Sequence, residues 1–331
     1  MLERLLAQPG RVLAPGGAPK WPAFVVDTCL ALGGALDPAL DAAVAVELVV
    51  AAIDVVDDVV DGEWEGEPGE WRRALNASLA MTGLAHAVAG RLAGAIGMAR
   101  AQRVARLLAD GAVACCAGQD LDLRLEQELQ VSEDEAHEMT RRKSGSLVSM
   151  ACRVGAAVAT DDGGAIELAG VFGEHAGVVA QLLNDLAGVE LGSTRRGTDL
   201  QRRKKTLPVA FALRCARDEG LPEVLAWYTG GPTADGDEER LAQTLRRLGA
   251  LHYTWLVADI HRREALAVVR RLGEATGRKE VSRLRRLVPV LRARRAGRST
   301  GEETTHALGR ASVDRGDGSR RPADRSGAVQ S

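Results

Sequence analysis

"DAAVAVELVVAAIDVVDDVVD", residues 41–61, decides the reading of this chain. Its first part is rich in Ala, Val and Leu and lacks Gly and Pro, so it is predicted to be a helix that runs on into the acidic end. At about 100° per residue, Asp54, Asp57, Asp58 and Asp61 fall within an arc about 100° wide, and Val55, Val56, Val59 and Val60 cover the rest. A helix this apolar is buried, so its stripe must face something other than hydrocarbon. Four like charges repel, and buried carboxylates without partners take up protons. A charge run is ordinarily a solvated face, but such faces mix in Lys and Glu, whereas the neighbours here are Val, Ala and Ile. The stripe is predicted to hold a hard divalent cation. Mg²⁺ takes oxygen ligands, keeps several waters and is bound by one or two carboxylates together with substrate phosphates.

The 331 residues suffice for one large domain or two small ones, and 46% apolar content allows a sizeable core. Lys and Arg number 43 against 45 Asp and Glu, so no global field points to nucleic acid. Five cysteines (29, 115, 116, 152, 215) show no metal-type spacing, and the adjacent pair 115–116 reads as core rather than bridge. That usage suggests a reducing, cytoplasmic setting. No signal peptide and no uninterrupted apolar run long enough to span a bilayer is read, so no stable membrane insertion is expected. Ala-, Leu- and Arg-rich segments separated by "GGAP" (16–19), "GEPG" (66–69), "TDDGG" (160–164) and "TGGPTADGD" (229–237) predict an all-α fold. Residues 1–295 read as the folded domain. Residues 296–331 are polar and Gly/Arg/Asp-rich, and read as a disordered tail. Before them, "RKEVSRLRRLVPVLRARR" reads as a basic, solvated last helix.

A diphosphate site needs a second wall and cations. In "QLLNDLAGVELGSTRRGTDLQRRKKTLPVAFAL" (181–213), Gln181, Asn184 and Asp185 lie about one helical turn apart and can share a face. Lys204 and Lys205 follow, and Thr206-Leu207-Pro208 starts a new helix. In "TRRKSGSLVSMACRVGAAVA" (140–159), Arg142 and Lys143 begin an otherwise apolar helix, a placement that suits an anion. The bland reading of these cations is a solvated basic patch.

Taken in order, these segments resemble the trans-polyprenyl synthase family of all-helical class I isoprenoid synthases. Asp57-Asp58-Val-Val-Asp61 is similar to the family's first aspartate-rich motif, and "GQDLDL" (118–123) to its Gly-Gln-x-x-Asp segment, giving Gln119 and Asp122. "RKSGSL" (142–147) resembles the Lys-Thr segment, "QLLNDLAG" the second aspartate-rich motif, and "KKTLP" follows at the usual place. The resemblance covers roughly residues 14–290, and five motifs in order make it specific. It implies a helical bundle around a deep apolar pocket, with Mg²⁺ at its mouth gripping an allylic prenyl diphosphate, and commonly a homodimer. It implies Asp57, Asp58, Asp61, Asn184 and Asp185 as metal ligands, and Arg142, Lys143, Gln181, Lys204, Lys205 and Gln119 as substrate-binding residues. Asp57, Asp58 and Lys143 would carry the chemistry. In the family bulky aromatics just before the first motif shorten the pocket, so by the same resemblance the small Ala51 and Ala52 there imply a substrate of about C15 to C20 or more.

The departures fall on the side of the second substrate, isopentenyl diphosphate. The family's Gly-Gly-Lys-Arg-x-Arg-Pro aligns with "GGAPKWP" (16–22), so Ala18, Pro19 and Trp21 replace three cations and Lys20 is displaced. Val50 stands for a histidine, and Trp64 and Glu65 for two arginines, with Arg72 and Arg73 further on as substitutes only if the helix shifts. In the second motif Asn184 replaces the first Asp and Gly188 the third, which leaves Glu190 or Asp199 to complete it. The expectation is therefore a class I terpene synthase that ionises an allylic diphosphate and cyclises or eliminates, a lyase without a second substrate. The alternatives are a prenyltransferase that joins the allylic chain to an acceptor, and a catalytically silent partner subunit. The 3% aromatic content tells against a cyclase, which would use aromatic faces to stabilise cations.

Overall fold

The computed structural model describes residues 1, 5, 20–64, 66–189, 199–229 and 237–291, with Lys20 described by its backbone alone. The "GGAP" segment, Glu65, Glu190 and the polar tail lie outside the described residues. Residues Met1–Arg292 form one compact unit. Among the described residues there is helix and no strand.

The chain enters by α1 (Lys20–Ala31) and turns into α2 (Leu36–Val60), which carries the acidic stripe at its C-terminal end. The helix starts five residues before the quoted segment, because Leu36-Asp-Pro-Ala-Leu continues it backwards with Pro38 in its first turn. The "GEPG" break turns the chain into α3 (Trp71–Arg91), which packs along α2 and continues through a short α4 (Ala93–Ile96). α5 (Met98–Gln127) follows, then α6 (Glu133–Thr140), whose start is fixed by a capping box between Ser132 and Glu135. A π-helical turn, Arg141–Gly145, joins α6 to α7 (Ser146–Ala159). α8 (Gly163–Gly188) is capped by the Asp162 carboxylate, which accepts from the Gly164 and Ala165 amides at 2.8 and 3.2 Å. α9 (Leu207–Glu219) starts at Thr206-Leu207-Pro208 as expected, and α10 (Pro222–Tyr228), α11 (Asp237–Arg247) and α12 (Ala250–Thr276) complete the bundle.

The main core lies where α1, α2, α5, α7, α8 and α12 meet, around Val46, Val50, Leu108, Val154, Phe172 and Leu272. One sequence expectation is corrected here. The basic segment after α12 is a 3₁₀ helix, Lys279–Leu287, not a solvated α-helix. It buries Val281 and Leu284 at a three-residue spacing, and Arg286 and Arg283 pair with the buried Asp27 of α1. Among the described residues two helices, Trp71–Ile96 and Gly163–Gly188, are long and apolar enough to cross a membrane by length and composition alone, but Arg72, Arg73 and Arg91 interrupt the first and Glu167, Glu174 and Asp185 the second, so neither is an uninterrupted apolar run. The second is more than half buried in the bundle, whereas only 28% of the first's apolar window is covered.

Three helices meet through imidazoles. His137 Nε2 of α6 lies 2.8 Å from His261 Nε2 of α12, whose Nδ1 lies 2.9 Å from His175 Nδ1 of α8. Burial pushes all three below the ordinary histidine value, His261 to about 4, and a proton on either neighbour would repel one on His261. Arg141 acts in the same direction on His137, against Glu138, Asp134 and Glu174 nearby. Below the unfolded value near 6.5 the unfolded chain takes up protons that the folded chain refuses, so stability falls as pH drops towards 4. Thermal melts across that window are expected to show the decline in the wild type and a flatter profile in His261→Gln. Parallel profiles would show that the relay does not set the pH response.

Candidate active site

The C-terminal end of α2 offers Asp57 and Asp61 one turn apart, with the Asp61 side chain only 3% exposed. Across from it, α5 presents Gln119 and Asp122, one turn apart by the same rule. Lys143 enters between them. Its Nζ lies 2.9 Å from Asp57 Oδ1, 2.9 Å from Asp122 Oδ2 and 3.6 Å from Asp61 Oδ2. Lys204, in the turn before α9, pairs closely with Asp61 Oδ2 and lies 3.8 Å from Asp122 and 4.0 Å from Glu63. Gln119 Nε2 donates to the other oxygen of Asp61 at 2.7 Å.

Lys143 reaches this position because its backbone is π-helical. The wide turn at Arg141–Gly145 displaces the side chain that a regular helix would present elsewhere. α5 closes on the turn at Gly118, where a Cβ would stand 2.4 Å from the Lys143 backbone nitrogen. The Lys143 carbonyl accepts from Cys115 Sγ at 3.1 Å, one turn earlier on α5. Gly118 thus permits the close approach that puts the Lys143 ammonium among the carboxylates.

The charges settle one another. Burial opposes the Lys143 charge, but Asp122, Asp57 and Asp61 together outweigh it and hold the ammonium above its ordinary value. Burial also opposes ionisation of Asp61, yet Lys143 and the Lys204 hydrogen bond keep its carboxyl below the usual range. At Asp57 the balance reverses, and burial raises the carboxyl despite Lys143. Glu126 is raised by burial and by Asp122. Asp61, Asp122 and Glu126 each place one carboxylate oxygen within 4.8 Å of the others.

The end of α8 forms the second wall. Gln181 Nε2 donates to Asp185 Oδ1 at 2.8 Å, and Ser144 Oγ of the π-helical turn donates to Gln181 Oε1 at 2.8 Å. Asp185 is 2% exposed and its Oδ2 has no hydrogen-bond partner. Burial, reinforced by the charge of Asp199, pushes it up to about 8. Hard oxygen donors on two facing walls and an orphaned buried carboxylate oxygen fit a divalent cation such as Mg²⁺.

The structure brings Asp57, Asp61, Gln119, Lys143 and Lys204 together, with Gln181 and Asp185 adjoining, while Asp58 is half-buried on the same helix end. It places the other candidates elsewhere. Arg142 is exposed and held by Glu138 at 2.6 Å. Lys205 is buried and donates to the Leu125 and Glu126 carbonyls at 3.0 and 2.5 Å, closing the C-terminal end of α5. Asn184 is exposed, one residue off the inward line of Gln181 and Asp185. Ala52 is buried between α2 and α3 with Val55, Ala74, Ala77 and Met81. Sequence reasoning did not pick out Glu126, Glu63 or Cys115 for the site, and it quoted Gly118 only as part of the Gly-Gln-x-x-Asp segment. Glu126 had a signal, since it stands four residues after Asp122 on one face of α5. Cys115 had none, because the carbonyl it serves belongs to a π-turn.

The approach at Gly118 is directly testable. Gly118→Ala would force the π-helical turn away by a backbone contact that cannot rotate aside. A loss of about 1–3 kcal/mol in urea unfolding is expected, as for overpacking generally. Wild-type stability would mean that the turn has slack and that Gly118 does not set the position of Lys143.

The family profile described as polyprenyl synthetase matches residues 3–245 of this chain. A geranylgeranyl diphosphate synthase of Mycobacterium tuberculosis is 34% identical over 191 residues, 56% of this chain and 54% of that protein. A geranylfarnesyl diphosphate synthase of Aeropyrum pernix is 32% identical over 160 residues, 46% of this chain and 48% of that protein. The chain thus spans about half the length of the curated relatives it matches. In three dimensions it is similar to a polyprenyl synthetase from Streptomyces coelicolor A3(2), with a TM-score of 0.73 at 24% identity over 87% of this chain and 95% of that one. A geranylgeranyl pyrophosphate synthetase from the archaeon Geoglobus acetivorans gives 0.72 at 25% identity over 87% and 90%. With a helical bundle that carries paired acidic walls, and a profile covering most of its length, the chain belongs to the polyprenyl synthetase family.

Proposed function

We propose that this chain is a Mg²⁺-dependent prenyltransferase that joins an allylic prenyl diphosphate of about C15–C20 to an acceptor, with isopentenyl diphosphate as the first acceptor to test. The observation that carries this reading is the cluster itself, in which carboxylates from α2 and α5 surround two ammonium groups. Asp57, Asp58 and Asp61 on one wall and Asp185 on the other would hold Mg²⁺, which when bound neutralises the departing diphosphate. Lys143 and Lys204, now paired with the carboxylates, would turn to the diphosphate oxygens and donate charge-assisted hydrogen bonds. Gln119 would keep Asp61 oriented, and Gln181 would do the same for Asp185. The apolar faces of α2 and α7, with Val46, Val49, Leu147 and Val148 buried, would keep water from the allylic cation.

Transfer replaces the terpene-forming lyase that the lost cations suggested, because the relatives are named as diphosphate synthases. The acceptor side also has an alternative cation pair. Arg72 and Arg73 occupy the first turn of α3 and line a cavity of about 440 Å³ with Met1, Asn76, Ala77 and Ala80. Two arginines at the positive end of a helix that has no acidic residue in its first turn make a place for an anion. Val50, in contrast, is fully buried. A homodimer is part of the same reading, supported by the uncovered apolar side of α3, where Leu79 and Leu84 are exposed. The five free thiols are compatible with the cytoplasm.

Incubation with Mg²⁺ and C10, C15 and C20 allylic diphosphates, with and without isopentenyl diphosphate, tests the reading. Mass spectrometry is expected to show diphosphates longer by five carbons, formed only when both substrates are present. A hydrocarbon or alcohol with the substrate's carbon count, independent of isopentenyl diphosphate, would restore the lyase. Asp57→Ala is expected to abolish turnover while the fold survives. Arg72→Ala with Arg73→Ala is expected to raise the KM for isopentenyl diphosphate tenfold or more at an unchanged allylic KM, since each charge-assisted bond contributes about 1.5–3 kcal/mol. Equal shifts in both constants would remove the arginines from the acceptor site.

A further inference from the structure

His137, His175 and His261 take no part in the chemistry above, yet they bring α6, α8 and α12 together. His137 Nε2 lies 2.8 Å from His261 Nε2, and His261 Nδ1 lies 2.9 Å from His175 Nδ1. All three rings are half-buried, and burial holds each below the ordinary histidine value, so at neutral pH they are uncharged. A neutral imidazole has one N–H and one lone pair. When His261 Nδ1–H donates to His175 Nδ1, the lone pair on His261 Nε2 faces His137 Nε2. Moving the His137 proton to its own Nδ1 leaves two lone pairs facing each other, and these repel unless a cation lies between them. The charged groups around the rings favour one. Asp134, Glu138, Glu174 and Glu264 act on His137 or His175 with negative charge, against Arg141.

We propose that His137 Nε2 and His261 Nε2 are the ligands of a transition-metal ion of the Zn²⁺ and Co²⁺ class, with His175 as the positioning residue that holds the His261 ring. Imidazole nitrogen suits such ions, whereas Mg²⁺ takes oxygen, so this site and the carboxylate site differ in the metal they accept. Two nitrogens bound to one tetrahedral ion stand about 3.3 Å apart, so the rings need to open by only about 0.5 Å from their present 2.8 Å. His175 does what a hydrogen-bonded partner does behind a metal-binding histidine, fixing its tautomer and its orientation. Asp134, one turn before His137 on α6, and water would supply the remaining ligands. The position has a consequence for the fold. The π-helical turn that carries Lys143 follows α6 directly, so an ion joining α6 to α12 would brace the segment from which Lys143 projects.

The test is a Co²⁺ titration of the tag-free full-length protein, followed by visible absorption, with Mg²⁺ in large excess to occupy oxygen sites. One equivalent is expected to bind, with a d–d band and without the near-ultraviolet band of a thiolate ligand, and Zn²⁺ is expected to displace it. Zn²⁺ is also expected to raise the melting temperature, because it binds the folded chain. His137→Gln and His261→Gln are each expected to weaken Co²⁺ binding about tenfold or more. His137 lies at the end of the relay, so His137→Gln keeps the test readable should His261→Gln unfold. His175→Leu removes the acceptor behind His261 and is expected to weaken binding about tenfold, whereas His175→Gln restores an acceptor and recovers most of the affinity. His86→Gln and His252→Gln, at exposed positions of α3 and α12, are expected to bind as the wild type does. A wild type that binds neither Co²⁺ nor Zn²⁺ in excess Mg²⁺, or wild-type affinity in a folded His137→Gln or His261→Gln, would overturn the site. Equal losses in His175→Leu and His175→Gln would overturn the role given to His175.

Discussion

The ammonium of Lys143 is the constraint on which the site depends. Asp57 and Asp61 from one helix and Asp122 from another are held within a few ångströms of a single nitrogen. Without that nitrogen, three carboxylates, two of them with buried side chains, would repel one another and push α2 and α5 apart. Lys143 in turn depends on three local features that have nothing to do with its charge. The backbone turn is π-helical, Gly118 lets α5 approach it, and Cys115 satisfies the carbonyl of the lysine itself. The chemistry at the mouth of the bundle is thus set by how closely two helices can pack.

Lys143 and Lys204 occupy the ground that a bound divalent cation would share. Each neutralises Asp61, and each lies near Asp122. On the metal reading proposed above, this pairing would hold Asp61 ionised and aimed, so that arriving cations would meet ligands already in place. Displaced ammonium groups would then find acceptors on the diphosphate. Such an exchange would conserve charge pairing at each stage.

Much of this could be read in the sequence, and the limits are physical. The acidic stripe on α2 was legible because a helix fixes the angular positions of Asp57 and Asp61. The all-α fold followed from punctuation, as at Thr206-Leu207-Pro208 and Asp162-Gly-Gly. The choice between Lys204 and Lys205 was not legible. Adjacent residues in a loop have no fixed phase, and only the fold sends one to Asp61 and the other to the end of α5. Nor was the π-turn, since nothing in Arg-Arg-Lys-Ser-Gly marks an extra residue per turn. The basic segment after α12 misled because its arginines look solvated until Asp27, far away in sequence, is seen to face them.

The acceptor side shows why losses counted position by position overstate a change of function. Aligned residue against residue, the cations for a second diphosphate are gone at Val50 and Trp64, and Val50 is sealed in the core. A diphosphate, however, responds to where positive charge lies and not to which residue number carries it. Arg72 and Arg73 stand at the first turn of α3, where they repel the helix dipole and weaken the helix start. On the reading proposed above the acceptor diphosphate would offset them, and Arg72 lies over the Trp71 ring, which holds its guanidinium near the helix end. On the second wall, likewise, position 188 is glycine and the Asp199 carboxylate lies in front of it. In both places the aligned position has lost its charge in sequence while a residue of the same sign stands elsewhere in the fold, at Arg72 and Arg73 and at Asp199.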